Sequence, residues 1–441
     1  MTHHTPALLI AAPASGQGKT TLVAALARLH TRAGRKVRVF KCGPDFLDPF
    51  WHQLASGAPV HQMDLWMTGE ADVRQRLYQA AQDADLILVE GVMGLFDGKP
   101  SAADLAQQLG LPVLAVIDAS HMAGTFGALA YGLRHYRPSM PWAGVMANRV
   151  ASEGHARMLG DALEHSGDYL GALQRNEALV LPERHLGLTV ATELSDGMAR
   201  LDAAADALAQ TPLGQMSLAD WQRWAVPFEP VEVPEVAPLL VGKTVAVAQD
   251  RAFCFIYQAN LDTLAQLGAR VVMFSPLDDA ALPDCDALWL PGGYPELHTQ
   301  TLAANTTMRA SVAAHMAADK PVWAECGGMM ALFDEIEATD GTVMPAWGLL
   351  PGRTVMQARL AALGPQQWAM PQGTLRGHTF HYSKAHTALP EVARTSRPNV
   401  APTATAGEAV YAQGSVRASY FHAWFASSPA AAAALLGGAV A

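Results

Sequence analysis

One stretch near the start narrows the choice of fold more than any other. Ala7-Leu8-Leu9-Ile10-Ala11-Ala12 is a short apolar run of buried-strand type. It leads into Pro13-Ala14-Ser15-Gly16-Gln17-Gly18-Lys19-Thr20-Thr21, and a helical pattern runs from Leu22 to Arg32. Strand, glycine-rich loop, Lys-Thr and helix together form a phosphate cradle. Loop N–H groups and the helix N-terminus hold phosphate oxygens, Lys19 reaches the β/γ-phosphates, and Thr20 ligates Mg²⁺. Ser15, Gly16, Gln17, Gly18, Lys19, Thr20 and Thr21 are the candidate nucleotide-binding residues. Positions 12 and 13, where longer and shorter variants of this loop carry their first glycine, are Ala and Pro. An ordinary strand-to-helix turn is the plainer alternative.

Further strand–helix units follow, as expected for a mostly parallel sheet covered on both faces. The run Val37 to Lys41 ends at a Pro-punctuated loop holding Asp45 and Asp48. Ligands of open α/β sheets bind at such strand ends. Asp45 is a candidate for ligating Mg²⁺ or steering substrate, or else simply caps a turn. The run Asp85 to Val89 ends in Glu90, a carboxylate placed to hold Mg²⁺ directly or through water. Asp97 follows in an Asp-Gly pair and is either a substrate-side group or a turn residue. Pro112 to Asp118 is a strand, Ala123 to Tyr136 a helix, and Trp142 to Ala147 a strand ending in Asn148. Arg184 and His185 could meet an anionic substrate or be solvated. Val226 to Leu239 carries four prolines with glutamates between them, which is linker composition. The expected division is residues 1–226, a linker at 227–240, and residues 241–441.

The second half opens a new alternating series at Thr244-Val245-Ala246-Val247-Ala248 and carries a different chemistry. Trp323-Ala324-Glu325-Cys326-Gly327-Gly328-Met329-Met330 reads as strand, sharp turn and helix. A nucleophile on such an elbow stands out of the sheet, with the next backbone N–H aimed at the same spot. A helix N-terminus beside the thiol favours the thiolate. A buried structural cysteine is the alternative. Two features bear on the choice. Leu290-Pro291-Gly292-Gly293-Tyr294-Pro295 sits at a strand's carboxyl end, where paired glycines let N–H groups turn inward to hold an oxyanion. Ser419-Tyr420-Phe421-His422-Ala423-Trp424 supplies a histidine able to take the thiol proton. Cys326, His422, Gly293 and Gly327 are the resulting candidates. His378 and His381 are read as lying on one side of a strand, with substrate-facing or structural roles preferred to zinc.

Composition sets outer bounds. Half of the 441 residues are apolar, 16% are charged and the formal net charge is -10. This suits large cores and argues against nucleic acid or an anionic membrane as partner. Four cysteines, at 42, 254, 285 and 326, form no CxxC pair, so a reducing cytoplasm fits and a disulfide framework does not. The first apolar run lacks a basic lead-in, no stretch is long enough to span a bilayer, and the Ala-rich end from Pro429 to Ala441 is expected to be a terminal helix.

The order of glycine pair, cysteine elbow and late histidine resembles the class I glutamine amidotransferases. Many of those carry Glu two residues after the histidine; here that position is Trp424, as in the cobyrinic-type subgroup, and the residue that orients His422 is left open. The whole length resembles the cobyrinic acid a,c-diamide synthase family. The matching residues are Ser15 to Thr21, Lys41-Cys42-Gly43-Pro44-Asp45-Phe46-Leu47-Asp48-Pro49, Glu90-Gly91-Val92-Met93-Gly94-Leu95-Phe96-Asp97-Gly98, Leu181 to Leu188, Leu290 to Glu296 and Arg376-Gly377-His378. Ala12 departs from the glycine usual in that family.

The resemblance implies a dethiobiotin-synthetase-like P-loop domain followed by a flavodoxin-like amidotransferase domain. It implies ATP- and glutamine-dependent amidation of the a and c side-chain carboxylates of a corrin-type polycarboxylate. ATP, L-glutamine and Mg²⁺ are the expected ligands, with an acyl phosphate as intermediate. It also implies that Asn148 reads the adenine edge. A homodimer is compatible with this reading. The same chemistry on hydrogenobyrinic acid or nickel-sirohydrochlorin remains open, as does a partition-type ATPase switch with an inactive second domain.

Overall fold

The structure, a computed structural model, describes residues 1–184, 187–188, 196–400 and 407–438. It packs as two units, Met1–Val233 and Pro234–Ala441.

The first unit is built on strands β1 (His3–Ala11), β2 (Val37–Cys42), β3 (His61–Met63), β4 (Leu86–Glu90), β5 (Val113–Asp118), β6 (Trp142–Val150) and β7 (Tyr169–Gln174). They pair in parallel in the order β3-β2-β4-β1-β5-β6-β7. Residues alternate across a strand, so Leu9, Ile87 and Val89 enter one core while Leu8, Leu86 and Leu88 enter another on the opposite face. All six are fully buried. This two-sided burial is why these strands read as unbroken apolar runs. Helix α1 (Lys19–Arg32) follows β1 directly, and α2 (Leu47–Ser56) follows β2.

A short antiparallel pair, β8 (Glu183–Arg184) and β9 (Gly187–Leu188), comes late in the unit. His185 lies outside the described residues, as does the side chain of Arg184. Strand β10 (Ala225–Phe228) then pairs antiparallel with the start of β1, setting Pro227 against His4 and Phe228 against His3. The opening of the expected linker is therefore sheet. Val226 and Phe228 alternate inward, and Pro227 is tolerated because β10 pairs on one side only. At the other end of that stretch Leu240 is fully buried in the second unit.

The second unit has β11 (Thr244–Ala248), β12 (Arg270–Phe274), β13 (Ala287–Leu290) and β14 (Val322–Glu325) in a seven-stranded sheet. The order is β12-β11-β13-β14, then Val416–Ser419, Ala409–Gln413 and Glu391–Arg394. The first five strands pair in parallel. Taken in chain order they give the 2-1-3-4-5 arrangement of flavodoxin-like sheets. Smaller sheets hold the later β segments, including Ala362–Met370, Gly373–His381 and His422–Trp424. The terminal helix is Pro429–Leu435. No helix among the described residues is long and apolar enough to cross a membrane.

The helix Gly327–Leu332 lies so close to β13 that a Cβ at Gly328 would stand 2.1 Å from the Leu290 carbonyl oxygen. Backbone cannot give way there as a flexible side chain would. Gly328→Ala is expected to destabilise the second unit by about 2–3 kcal/mol, read as a lower urea midpoint for its unfolding transition. An unchanged midpoint would show that the helix sits farther from the strand.

Candidate functional site

Two sites emerge, one in each unit. In the first, Gly18 at φ +94 precedes helix α1, whose first turn has neither a side-chain cap nor an acidic residue. The N–H groups there and the positive helix end remain available for an anion. Ala14, Ser15 and Gly16 are exposed, Gln17, Thr20 and Thr21 half-buried and Lys19 buried. The Lys19 Nζ donates to the carbonyls of Ala14 (3.2 Å) and Met93 (2.8 Å), so it lies across the loop. Burial pulls its pKa below the usual lysine range.

The loop is braced from neighbouring strand ends. The Gln17 Oε1 accepts from the Asp118 N–H at 2.8 Å. Asn148 donates its amide to the Gln17 carbonyl at 2.8 Å. Arg149 donates to the Gly16 carbonyl at 3.0 Å and to Asp118 at 2.6 Å. Asn148 thus stands at the loop, with its amide N–H committed to loop backbone.

Glu90 ends β4 and is buried. Its Oε1 accepts from the Thr20 hydroxyl at 2.7 Å and lies 3.2 Å from the Lys41 Nζ, while Oε2 meets His52. Burial opposes its charge, but Lys41 and the His52 bond hold its pKa down to about 2. Lys41 also pairs with Asp48 at 2.6 Å. His52 is a member of this cluster that sequence reasoning did not name, and Asp48 one that it named without a role. Their signal is one turn of helix, since positions i and i+4 on α2 share a face.

The hard-oxygen pair of Thr20 and Glu90 beside an anion loop suits Mg²⁺, which takes one or two protein oxygens and completes its shell with phosphates and water. Among the described residues, no group of three or more His, Cys, Asp or Glu forms an all-protein cage. Asp45 is placed differently: its Oδ1 accepts from the Leu47 N–H at 2.7 Å, the turn-capping arrangement. Asp97 is exposed, accepts from the Gly94 N–H at 2.9 Å, and its charge bears on Lys19.

In the second unit Cys326 sits between β14 and the helix Gly327–Leu332 at φ 49, ψ -106. Non-glycine residues avoid positive φ, and such strain is kept where a nucleophile must be presented at a sharp turn. Its N–H is anchored to the Ser419 carbonyl at 2.7 Å. Side chains are excluded around it. A Cβ at Gly327 would lie 2.9 Å from the Gly293 nitrogen, and one at Gly292 would lie 2.6 Å from the His422 Cε1. The Gly292-Gly293 loop is therefore wedged between the Cys326–Gly327 turn and the imidazole.

The orienting group left open by the sequence is Glu325. The His422 Nδ1 donates to its Oε1 at 2.9 Å, and the Trp323 indole N–H donates to its Oε2 at 2.9 Å. Glu325 and His422 are each 1% exposed, so solvent does not screen the pair. With Nδ1 turned to Glu325, Nε2 is the ring nitrogen on the opposite side of the imidazole. The available sign was a carboxylate closing an apolar strand, the same one that marks Glu90.

Two expectations are corrected here. Burial, reinforced by Glu325 and Glu296, pushes the Cys326 thiol well above its ordinary range; the helix end alone does not ionise it. His378 and His381 do not share a side, because three residues along a strand reverses the face. His378 stacks on His422 with ring centroids 5.0 Å apart and meets the Tyr257 hydroxyl at 2.9 Å. His381 stacks on Tyr420 and contacts Glu408 at 3.2 Å.

Comparison with known families matches residues 8–188 to the CobQ/CobB/MinD/ParA nucleotide binding domain. Residues 244–430 match the CobB/CobQ-like glutamine amidotransferase domain. The hydrogenobyrinate a,c-diamide synthase of Stutzerimonas stutzeri is 56% identical over 431 residues, 98% of each chain. That of Pseudomonas aeruginosa is 56% identical over 439 residues, 98% of this chain and 97% of the relative. The cobyrinate a,c-diamide synthase of Herminiimonas arsenicoxydans is 46% identical over 430 residues, 97% of this chain and 95% of the relative.

Two outcomes follow from the thiol site. Glu325→Gln is expected to lower kcat for glutamine hydrolysis by about 10²–10⁴-fold, with ammonia-driven turnover retained; undiminished hydrolysis would remove Glu325 from the site. A raised thiol pKa means that thiolate forms only as pH climbs past the ordinary range. Iodoacetamide labelling of Cys326 without glutamine should still be accelerating above about pH 9, and a plateau below that would contradict the burial argument.

Proposed function

We propose that this chain, which belongs to the hydrogenobyrinate/cobyrinate a,c-diamide synthase family, converts the a and c side-chain carboxylates of a corrin precursor to amides, using ATP and glutamine. The observation that carries this reading is the Cys326–Glu325–His422 grouping beside Gly293, on the same chain as a braced phosphate loop.

In the second unit, His422 takes the Cys326 proton and the sulfur attacks the glutamine amide carbon. The oxyanion that forms is met by the N–H groups of Gly293 and Gly327. The proton then passes to the leaving nitrogen, ammonia departs, and water releases glutamate from the thioester. The elevated thiol pKa makes proton transfer part of substrate attack rather than a step completed beforehand.

In the first unit the loop holds ATP. A substrate carboxylate oxygen attacks the γ-phosphorus, ADP leaves, and the acyl phosphate that results accepts ammonia with loss of phosphate. Positioning and charge neutralisation are the protein's contribution. Ser15 to Thr21 surround the phosphates and Lys19 exchanges its carbonyl partners for phosphate oxygens. Thr20 and Glu90 would hold Mg²⁺, whose part is to neutralise phosphate charge. Asp97, exposed next to the loop, steers the incoming acid. Asp45 does so only after releasing the Leu47 N–H, and Asn148 supports the loop rather than reading adenine.

The two relatives at 56% identity are named for hydrogenobyrinate, which makes the metal-free corrin the first substrate to assay. With ATP, Mg²⁺ and glutamine, mass spectrometry should show two carboxylates of hydrogenobyrinate or cobyrinate converted to amides. Cys326→Ala should lose the glutamine-driven reaction by about 10³-fold or more and keep the reaction driven by free ammonia. Glutamine-driven product from that variant, or no product from either corrin, would overturn the reading.

A further inference from the structure

Glu296 follows the Gly292-Gly293 loop, in the one-turn helix Pro295–Leu297. Its place beside the nucleophile is set by Pro295, whose Cδ would lie 2.9 Å from a Cβ built on Gly327. The Glu296 Oε2 is buried and has no hydrogen-bond partner. Three carboxylates bear on the Cys326 thiol: Glu325, Glu296 and Glu408. Glu325 is occupied by His422 and Trp323, and Glu408 by the Thr379 hydroxyl and His381. Glu296 alone of the three leaves a buried oxygen unsatisfied among the described residues. Burial, offset only in part by a bond from its own backbone N–H, lifts its pKa to about 7. A buried carboxylate oxygen left unbonded is costly and persists where a ligand completes it.

The reaction supplies such a ligand. With the glutamine amide carbon at the Cys326 sulfur and its oxygen at the Gly293 and Gly327 N–H groups, the α-carbon end reaches a side chain's length away. That end carries an ammonium with three donors and a carboxylate that an acidic neighbour would repel. We propose that Glu296 is the glutamine-recognition residue of this site, its free carboxylate oxygen receiving the substrate's α-ammonium group. The assignment rests on the amidotransferase reading above. It makes Glu296 a determinant of which amide is admitted, since a site built to bond a substrate N–H strongly rejects an analogue lacking it.

The test compares L-glutamine with glutaramate, the same amide without the α-amino group, in the full-length protein. Wild type should favour glutamine by about 10³-fold or more in kcat/KM. Glu296→Gln should raise the glutamine KM by about 30-fold or more, change kcat by less than about 5-fold and shrink the preference over glutaramate by at least about 10-fold. Glu296→Asp should recover part of the KM. Ammonia-driven amidation should persist in both variants, which shows the chain is folded. A loss of kcat at constant KM, an unchanged preference in Glu296→Gln, or equal use of the two amides by wild type would each overturn the assignment. Should a variant fail to fold, the wild-type comparison still decides. Hydrolysis surviving in Cys326→Ala would instead sink the underlying reading of the site.

Discussion

The second unit turns on one strained residue. Cys326 holds a positive φ at the end of β14, and the surroundings fix it there from several sides. Its N–H is bonded to Ser419, Gly292-Gly293 fills the space that side chains would take, and the helix behind it is pressed against β13. Backbone strain of this kind costs on the order of 1–3 kcal/mol and persists only when the neighbourhood over-determines it. The return is geometric, because the turn sets Gly327 against Gly293 and the glycine pair against the His422 ring.

Glu325 links that elbow to the late histidine. Neighbouring residues of a strand point to opposite faces, so Glu325 and Cys326 would diverge in a regular strand. The turn at Cys326 breaks that alternation. The carboxylate therefore holds the imidazole from within β14 rather than from the histidine's own segment. Trp424, in that alternative place, is fully buried against Tyr257 instead.

The first unit meets the opposite electrostatic demand. Its loop must accept several negative charges, so α1 begins without an acidic residue and Lys19 lies over the loop. Glu90 would repel phosphate if left bare. Lys41, His52 and the Thr20 hydroxyl tie it down, which fixes a negative point next to a positive cradle. That combination suits a divalent cation between them.

Much of this was legible in the chain. Apolar runs closed by glycine loops marked the parallel strands, and β11 matches its expected limits residue for residue. The loop lysine, the strand-end Glu90, the Cys326 elbow and His422 all show themselves through local context. What local context omits is anything created by pairing between distant segments. The end of β10 read as linker because Pro227 and the prolines that follow outweighed a short alternation that only β1 makes meaningful. Asp45 could be read either as a metal or substrate group or as a turn cap, and only the fold shows the Leu47 N–H donating to its Oδ1. The sequence by itself determined the two sheets and the chemical types brought to their edges, since strand and helix periods are properties of neighbours. Tertiary structure alone decided that Glu325 faces His422, that one oxygen of Glu296 is buried without a partner, and that burial raises the pKa of the thiol. Burial and pairing across some 30 to 100 positions set those properties, and no spacing rule in the chain encodes them.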